Sequence, residues 1–293
     1  LGAIRFAPRE YAHSVLCDCR TSVARVMHDR AALVALIVLT LPWWSLIFLR
    51  DDFGWLGTFG EVVVLAFAFW WLSRSGGLPA PTVKYPRAES LFVFALIAAW
   101  IIWRIGICAQ WFPFLPENFV CFGNWEFEII PKVIEQVVFP IVVLFILGYR
   151  WRAQGLDLNL RAWWISSFAI LGVAAYGVHM HWNDLPGFAQ RLVEFFFGAG
   201  LPEEVLFRAL LLTRLEAWWR NSAWALLGAS IIFGLAHLPI NFFVFSPRNL
   251  NEAWITLLTS QMGVGAVFAF AYQRTRNACP LAILHALVDA LNF

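Results

Sequence analysis

Charge is what this sequence has least of. Asp, Glu, Lys and Arg make up 14% of the 293 residues, while 61% are hydrophobic; a soluble domain carries about 25% charged residues. The deficit excludes a water-soluble globular chain and leaves a polytopic membrane protein. The net charge of +2 and the lack of a basic run interleaved with aromatics exclude a nucleic-acid binder. No Gly-rich phosphate loop and no internal repeat occur, which excludes the common nucleotide-binding and solenoid plans. Cysteine is sparse and odd in number, at five. The C-x-C of Cys17 and Cys19 has no second pair to complete a metal site, so both read as ordinary cytosolic thiols. No small-residue cleavage site follows the first apolar run, so no cleavable signal peptide is expected.

What is present is a series of long apolar runs. They predict an all-α, polytopic transmembrane helix bundle of about eight spans, near 31–49, 55–73, 91–112, 128–148, 162–180, 192–219, 222–245 and 252–272. A last apolar segment, 280–293, is short of the roughly 20 residues a span needs. It is expected to insert part-way and pack inside the bundle. Arginine and lysine alternate across this scheme. Arg5 to Arg30, Arg74 to Arg87, Arg150 to Arg161, Arg214 and Arg220, and Arg274 and Arg276 fall on one side. The positive-inside rule then places the N-terminus in the cytoplasm, as for a multi-pass protein of a bacterial inner membrane. The organisation expected is a cytoplasmic segment over 1–30, N-terminal transmembrane helices over 31–149, and a functional core over 150–293.

The chemistry concentrates in that core. From Phe195 to Leu212 the only charged residues are Glu203, Glu204 and Arg208, and ionisable groups at membrane depth are functional candidates by default. Pro202 suits a first helical turn. Glu204 and Arg208 are four apart and can pair on one face. Glu203 lies about 100° round the helix without a local partner. One held carboxylate beside one free carboxylate suits a general base; the rival reading is a structural ion pair between helices. His237, four after Phe233, and His285, four before Asp289, are further breaches of apolar helices. Glu203 and His237 should both lie roughly 12–15 Å below the outer surface, and His285 near mid-membrane.

The set Glu203-Glu204-x-x-x-Arg208, Phe233-x-x-x-His237 and His285-x-x-x-Asp289 resembles the CPBP family of intramembrane proteases, also called the ABI family, which includes the CAAX prenyl endopeptidases. The resemblance covers about 163–293. It implies a helical bundle with a conical cavity and a peptide-hydrolysing site. In it Glu203 would activate water, His237 would help hold that water, and His285 with residue 289 would stabilise the oxyanion. Glu204 and Arg208 would orient the site. Two positions depart from the family pattern. Asp289 stands where the CAAX endopeptidases have Asn, and an ionised Asp cannot donate a hydrogen bond. Ala209 follows Arg208 where glycine is usual.

The resemblance implies an intramembrane endopeptidase acting on a membrane-anchored or hydrophobic peptide or protein, with no cofactor. A zinc-dependent version would use Glu203, His237 and His285 as ligands, but no His-Glu-x-x-His helix favours it. The rivals from other classes are a non-proteolytic scaffold or bacteriocin self-immunity protein, and a transporter with an ion site. Five smaller expectations complete the reading. Cys108 and Cys121 could pair in an oxidising exterior. Glu128, Lys132 and Glu135 stand at helical spacing and should pair with one another. Arg104 should pair with a carboxylate such as Glu135. His179 and His181 read as interfacial residues, and the paired tryptophans as interface belts.

Overall fold

The computed structural model describes residues 63, 66–68, 70–71, 80–112, 125–150, 154–155 and 160–292. The expected spans near 31–49 and 55–73, the segment 1–30 and Cys121 lie wholly or largely outside the described residues. Among those described there is no strand, as a bilayer requires of segments that must satisfy their own backbone groups. The fold is an all-α bundle. Among the described residues, five helical stretches are long and apolar enough to cross a membrane: Pro86–Cys108, Ile129–Ile146, Ala162–Met180, Ser222–Phe245 and Leu250–Thr275. The predicted bounds 162–180 and 222–245 coincide with two of them.

Helix α1 (Pro86–Cys108) opens on proline at its first turn, where the missing N–H costs nothing. Helix α2 (Trp125–Val133) runs through a wide π turn, Ile134–Val138, into α3 (Phe139–Ile146). Helix α4 (Leu160–Met180) precedes a long bent run. That run comprises α5 (Leu185–Phe195), a π segment Phe196–Gly200, α6 (Leu201–Glu203), a second π segment Glu204–Leu212, and α7 (Thr213–Trp219). It begins earlier than the predicted span of 192–219, because Asp184 caps it by accepting from the Gly187 N–H at 3.1 Å.

Tight turns then fold the chain back on itself. Arg220 adopts left-handed backbone (φ 53°) and Asn221 accepts from the N–H groups of Ala223 and Trp224. Together they end α7 and start α8 (Ser222–Ile240), which continues into the π segment Asn241–Phe245. Helix α9 (Leu250–Thr256) passes through the π segment Leu257–Gln261 into α10 (Met262–Thr275). Arg276, again left-handed at φ 52°, turns the chain into α11 (Ala278–Asn292).

Packing sorts these helices into a centre and a rim. The spans at 86–108, 129–146 and 162–180 are 17–28% buried, whereas those at 222–245 and 250–275 are 44% and 56% buried. The run from Pro202 to Glu216 is buried throughout and forms one cluster with Phe233, Phe268 and Leu281. The helix carrying the site is therefore the axis of the bundle. Two glycines set the spacing around it. A Cβ on Gly200 would collide with the Ala282 carbonyl of α11, and one on Gly265 would meet Phe233 of α8 at 2.8 Å; small residues let membrane helices approach this closely.

Candidate active site

Glu203 and Glu204 sit where α6 passes into the π segment, a widened winding common at functional sites. The two carboxylates divide as their spacing predicts. Glu204, with no exposed surface, forms an ion pair with Arg208 (Oε1 to a terminal guanidinium nitrogen, 3.2 Å). The Arg208 guanidinium lies 4.2 Å from the centroid of the Phe233 ring, a cation–π contact that shields a buried charge. Glu204 also meets His285, whose Nδ1 stands 2.8 Å from Oε1. A carboxylate only accepts, so that nitrogen carries the proton. His237 is fixed in the same way, with Nδ1 2.8 Å from the Phe233 carbonyl.

Each imidazole therefore turns its Nε2 the other way. The His237 and His285 Nε2 atoms lie 3.6 and 3.8 Å from the same atom, Oε2 of Glu203. Asp289 Oδ2 is 3.6 Å from the His285 Nε2. The structure thus brings all six sequence-predicted residues together. Three groups from three helices converge at distances slightly too long for direct hydrogen bonds. Burial grades across the site: Arg208 is 1% exposed, whereas the side chains of His237 and Asp289 are 20% and 27% exposed. The buried end holds the charges in place, and the His237–Asp289 end is open. Phe268 packs against His285, with ring centroids 5.0 Å apart.

One expectation needs correction and one is extended: Glu203 has no local partner but is not free, and Lys132 reaches it in place of Glu135, while the Glu128 side chain lies outside the described residues. The Lys132 Nζ lies 2.8 Å from the Glu203 Oε1, a contact bridging 71 positions of sequence. Helical spacing offered Lys132 a nearer carboxylate in Glu135, but the deeper, more buried carboxylate captures it. Arg104 stands over Trp100 at 5.6 Å and acts electrostatically on Glu135. His181 stacks on Phe188 and reaches Arg191 at 3.3 Å, as suits an interfacial residue. Cys108 is disulfide-bonded; the expected partner, Cys121, lies outside the described residues. Cys279 is a free thiol.

Beneath the site, two further networks tie the axis helix to its neighbours. The Arg214 Nε meets Glu89 of α1 at 3.2 Å, and Glu89 also accepts from the Tyr149 hydroxyl. Glu216 receives the Arg276 guanidinium and the Gln273 amide.

Comparison with known proteins gives one finding. Residues 185–291 match the family model described as type II CAAX prenyl endopeptidase Rce1-like. No curated protein and no solved structure matches the chain significantly.

Proposed function

We propose, from the match of residues 185–291 to the Rce1-like CAAX endopeptidase family model, that the chain is an intramembrane endopeptidase of the glutamic type. It hydrolyses a peptide bond in a membrane-anchored or hydrophobic substrate. The observation that carries the reading is the convergence of two imidazole Nε2 atoms on the Glu203 Oε2. With its Nδ1 proton committed to the Phe233 carbonyl, a neutral His237 presents a lone pair at Nε2. The Glu203 oxygen and that lone pair together call for a donor, and water supplies two protons. Glu203 takes one as the water oxygen attacks the substrate carbonyl, and His237 holds the other. The tetrahedral intermediate then collapses, and the Glu203 carboxylic acid returns the proton to the departing amine.

Oxyanion stabilisation falls to His285. Its Nδ1–H is committed to Glu204, so donation from Nε2 requires the doubly protonated ring. Glu204 and Asp289 supply the counter-charge, which gives Asp289 an orienting role in place of a donating one. Glu204 and Arg208 hold this arrangement from the buried end.

The zinc-dependent version is the second reading, favoured by the convergence of the same three side chains. Glu203, His237 and His285 would hold the ion, which would polarise the carbonyl as a Lewis acid. Against it stands Lys132, whose ammonium already neutralises Glu203.

The test uses purified protein in proteoliposomes with membrane-peptide substrates. Glu203→Gln and His237→Ala should each lower kcat by ~10²–10⁴. Wild-type activity should survive chelators. Cleavage by both variants at the wild-type rate would overturn the proposal, and loss of activity to chelators would move it to the metal version.

A further inference from the structure

The site includes a cation that comes from outside the matched segment. Lys132 belongs to α2, well before residue 185, yet its ammonium touches the carboxylate at the centre of the site. We infer that Lys132 is a positioning residue for Glu203: it pins Oε1 so that Oε2 alone faces the two imidazoles.

Three observations carry this. First, the two carboxylate oxygens are used differently. Oε1 stands 2.8 Å from Nζ, while the nearest nitrogens to Oε2 among the described residues are those of the two imidazoles, at 3.6 and 3.8 Å. A carboxylate held at one oxygen keeps a single rotamer. The other oxygen is then left free to accept a proton in a fixed direction. Second, the lysine is itself held. Its Nζ lies 5.9 Å from the centroid of the Trp100 ring on α1, so the ammonium sits between an aromatic face and the carboxylate. Its side chain is only 12% exposed. A lysine that merely sought solvent would snorkel to the interface. Third, the backbone around Lys132 is irregular. Pro131 precedes it inside the helix, and the wide turn Ile134–Val138 follows, packed against α6 and the π segment after it. Such turns frequently mark functional positions.

Charge balance points the same way. Glu203, Glu204 and Asp289 place three carboxylates in the site, against Arg208 alone from its own helix. Lys132 supplies the second fixed cation at membrane depth, where uncompensated charge is costly.

The inference rests on Glu203 being the base, and the experiment separates the two. Cleavage is measured for wild type, Glu203→Gln, Lys132→Ala, Lys132→Met and Lys132→Arg in proteoliposomes, with methylamine or ethylamine added to Lys132→Ala. Misplacing a reacting group by about 1 Å costs on the order of 10²-fold. Lys132→Ala and Lys132→Met should therefore lose roughly 10–100-fold in kcat with KM nearly unchanged. Lys132→Arg should retain part of the activity, and the small amines should restore part of it to Lys132→Ala. A merely structural lysine would not respond to added amine. The inference is overturned if Lys132→Ala and Lys132→Met cleave like wild type while Glu203→Gln does not. It is equally overturned if their loss is neither rescued by amine nor spared in Lys132→Arg. If Glu203→Gln itself cleaves like wild type, the base assignment fails first.

Discussion

The Glu204–Arg208 pair is the part of the site whose energetics can be worked out most directly. Arg208→Met removes the guanidinium from a carboxylate with no exposed surface. Breaking a buried pair from one side costs about 3–5 kcal/mol, because the remaining charge is left uncompensated. His285 still binds Glu204, which draws the cost toward the lower figure. Loss of the Phe233 face contact adds about 0.5–2 kcal/mol. At roughly 2–4 °C per kcal/mol for domains of 150–250 residues, Tm should fall by roughly 6–20 °C. Glu204→Gln keeps an acceptor for the His285 Nδ1–H but removes the charge, stranding Arg208 instead. Adding Glu204→Gln to Arg208→Met leaves neither charge stranded. The double variant should therefore recover at least ~1.5 kcal/mol relative to the sum of the single losses. Thermal unfolding of the detergent-solubilised protein, followed by the fluorescence of its 17 tryptophans, reads all four corners of the cycle. Additivity to within ~0.5 kcal/mol would mean that the two residues do not act as a pair, and the division of labour between Glu203 and Glu204 would fall with it.

Gly200→Ala drives a methyl group into the Ala282 carbonyl; the overpacking should cost about 1–3 kcal/mol, and an unchanged Tm would refute the close approach of α11. Glu89→Ala strands the buried Arg214 guanidinium and removes the acceptor of the Tyr149 hydroxyl, so stability should fall by about 3–5 kcal/mol, measurable in the same assay. Burial, reinforced by Glu89, raises the Tyr149 phenol above its usual value of 10.0. A raised folded-state value means stability that is complete below pH 10 and lost as pH climbs toward the folded value. Tyr149→Phe should therefore flatten the decline in Tm above pH 10, and a decline identical to wild type would exclude this contribution.

The sequence revealed the bundle because hydrophobic runs need no partner to be recognised. The spans at 162–180 and 222–245 end where charge or a cap ends them, and local spacing found Glu204–Arg208. The axis helix was harder to delimit by hydropathy, since its charged residues lower its apolar character. It is absent from the five stretches that length and apolarity select. Lys132–Glu203 and Glu204–His285 bridge 71 and 81 positions, and no local periodicity encodes such pairs.

The wide turns have a consequence for what this chain can tolerate. Ile134–Val138 follows Lys132 by two residues, Phe196–Gly200 and Glu204–Leu212 bracket Glu203, and Asn241–Phe245 begins four residues after His237. A wide turn holds more residues than an α-turn, so each fixes the angular phase between the helix before it and the helix after it. Removing one residue from Phe196–Gly200 would restore ordinary winding with little change of phase, because four α residues turn through nearly the same angle as five residues of a wide turn. The same deletion inside α5 would instead swing Glu203 by about 100°. The wide turns are therefore the places where this run can absorb a change of length without redirecting its carboxylates.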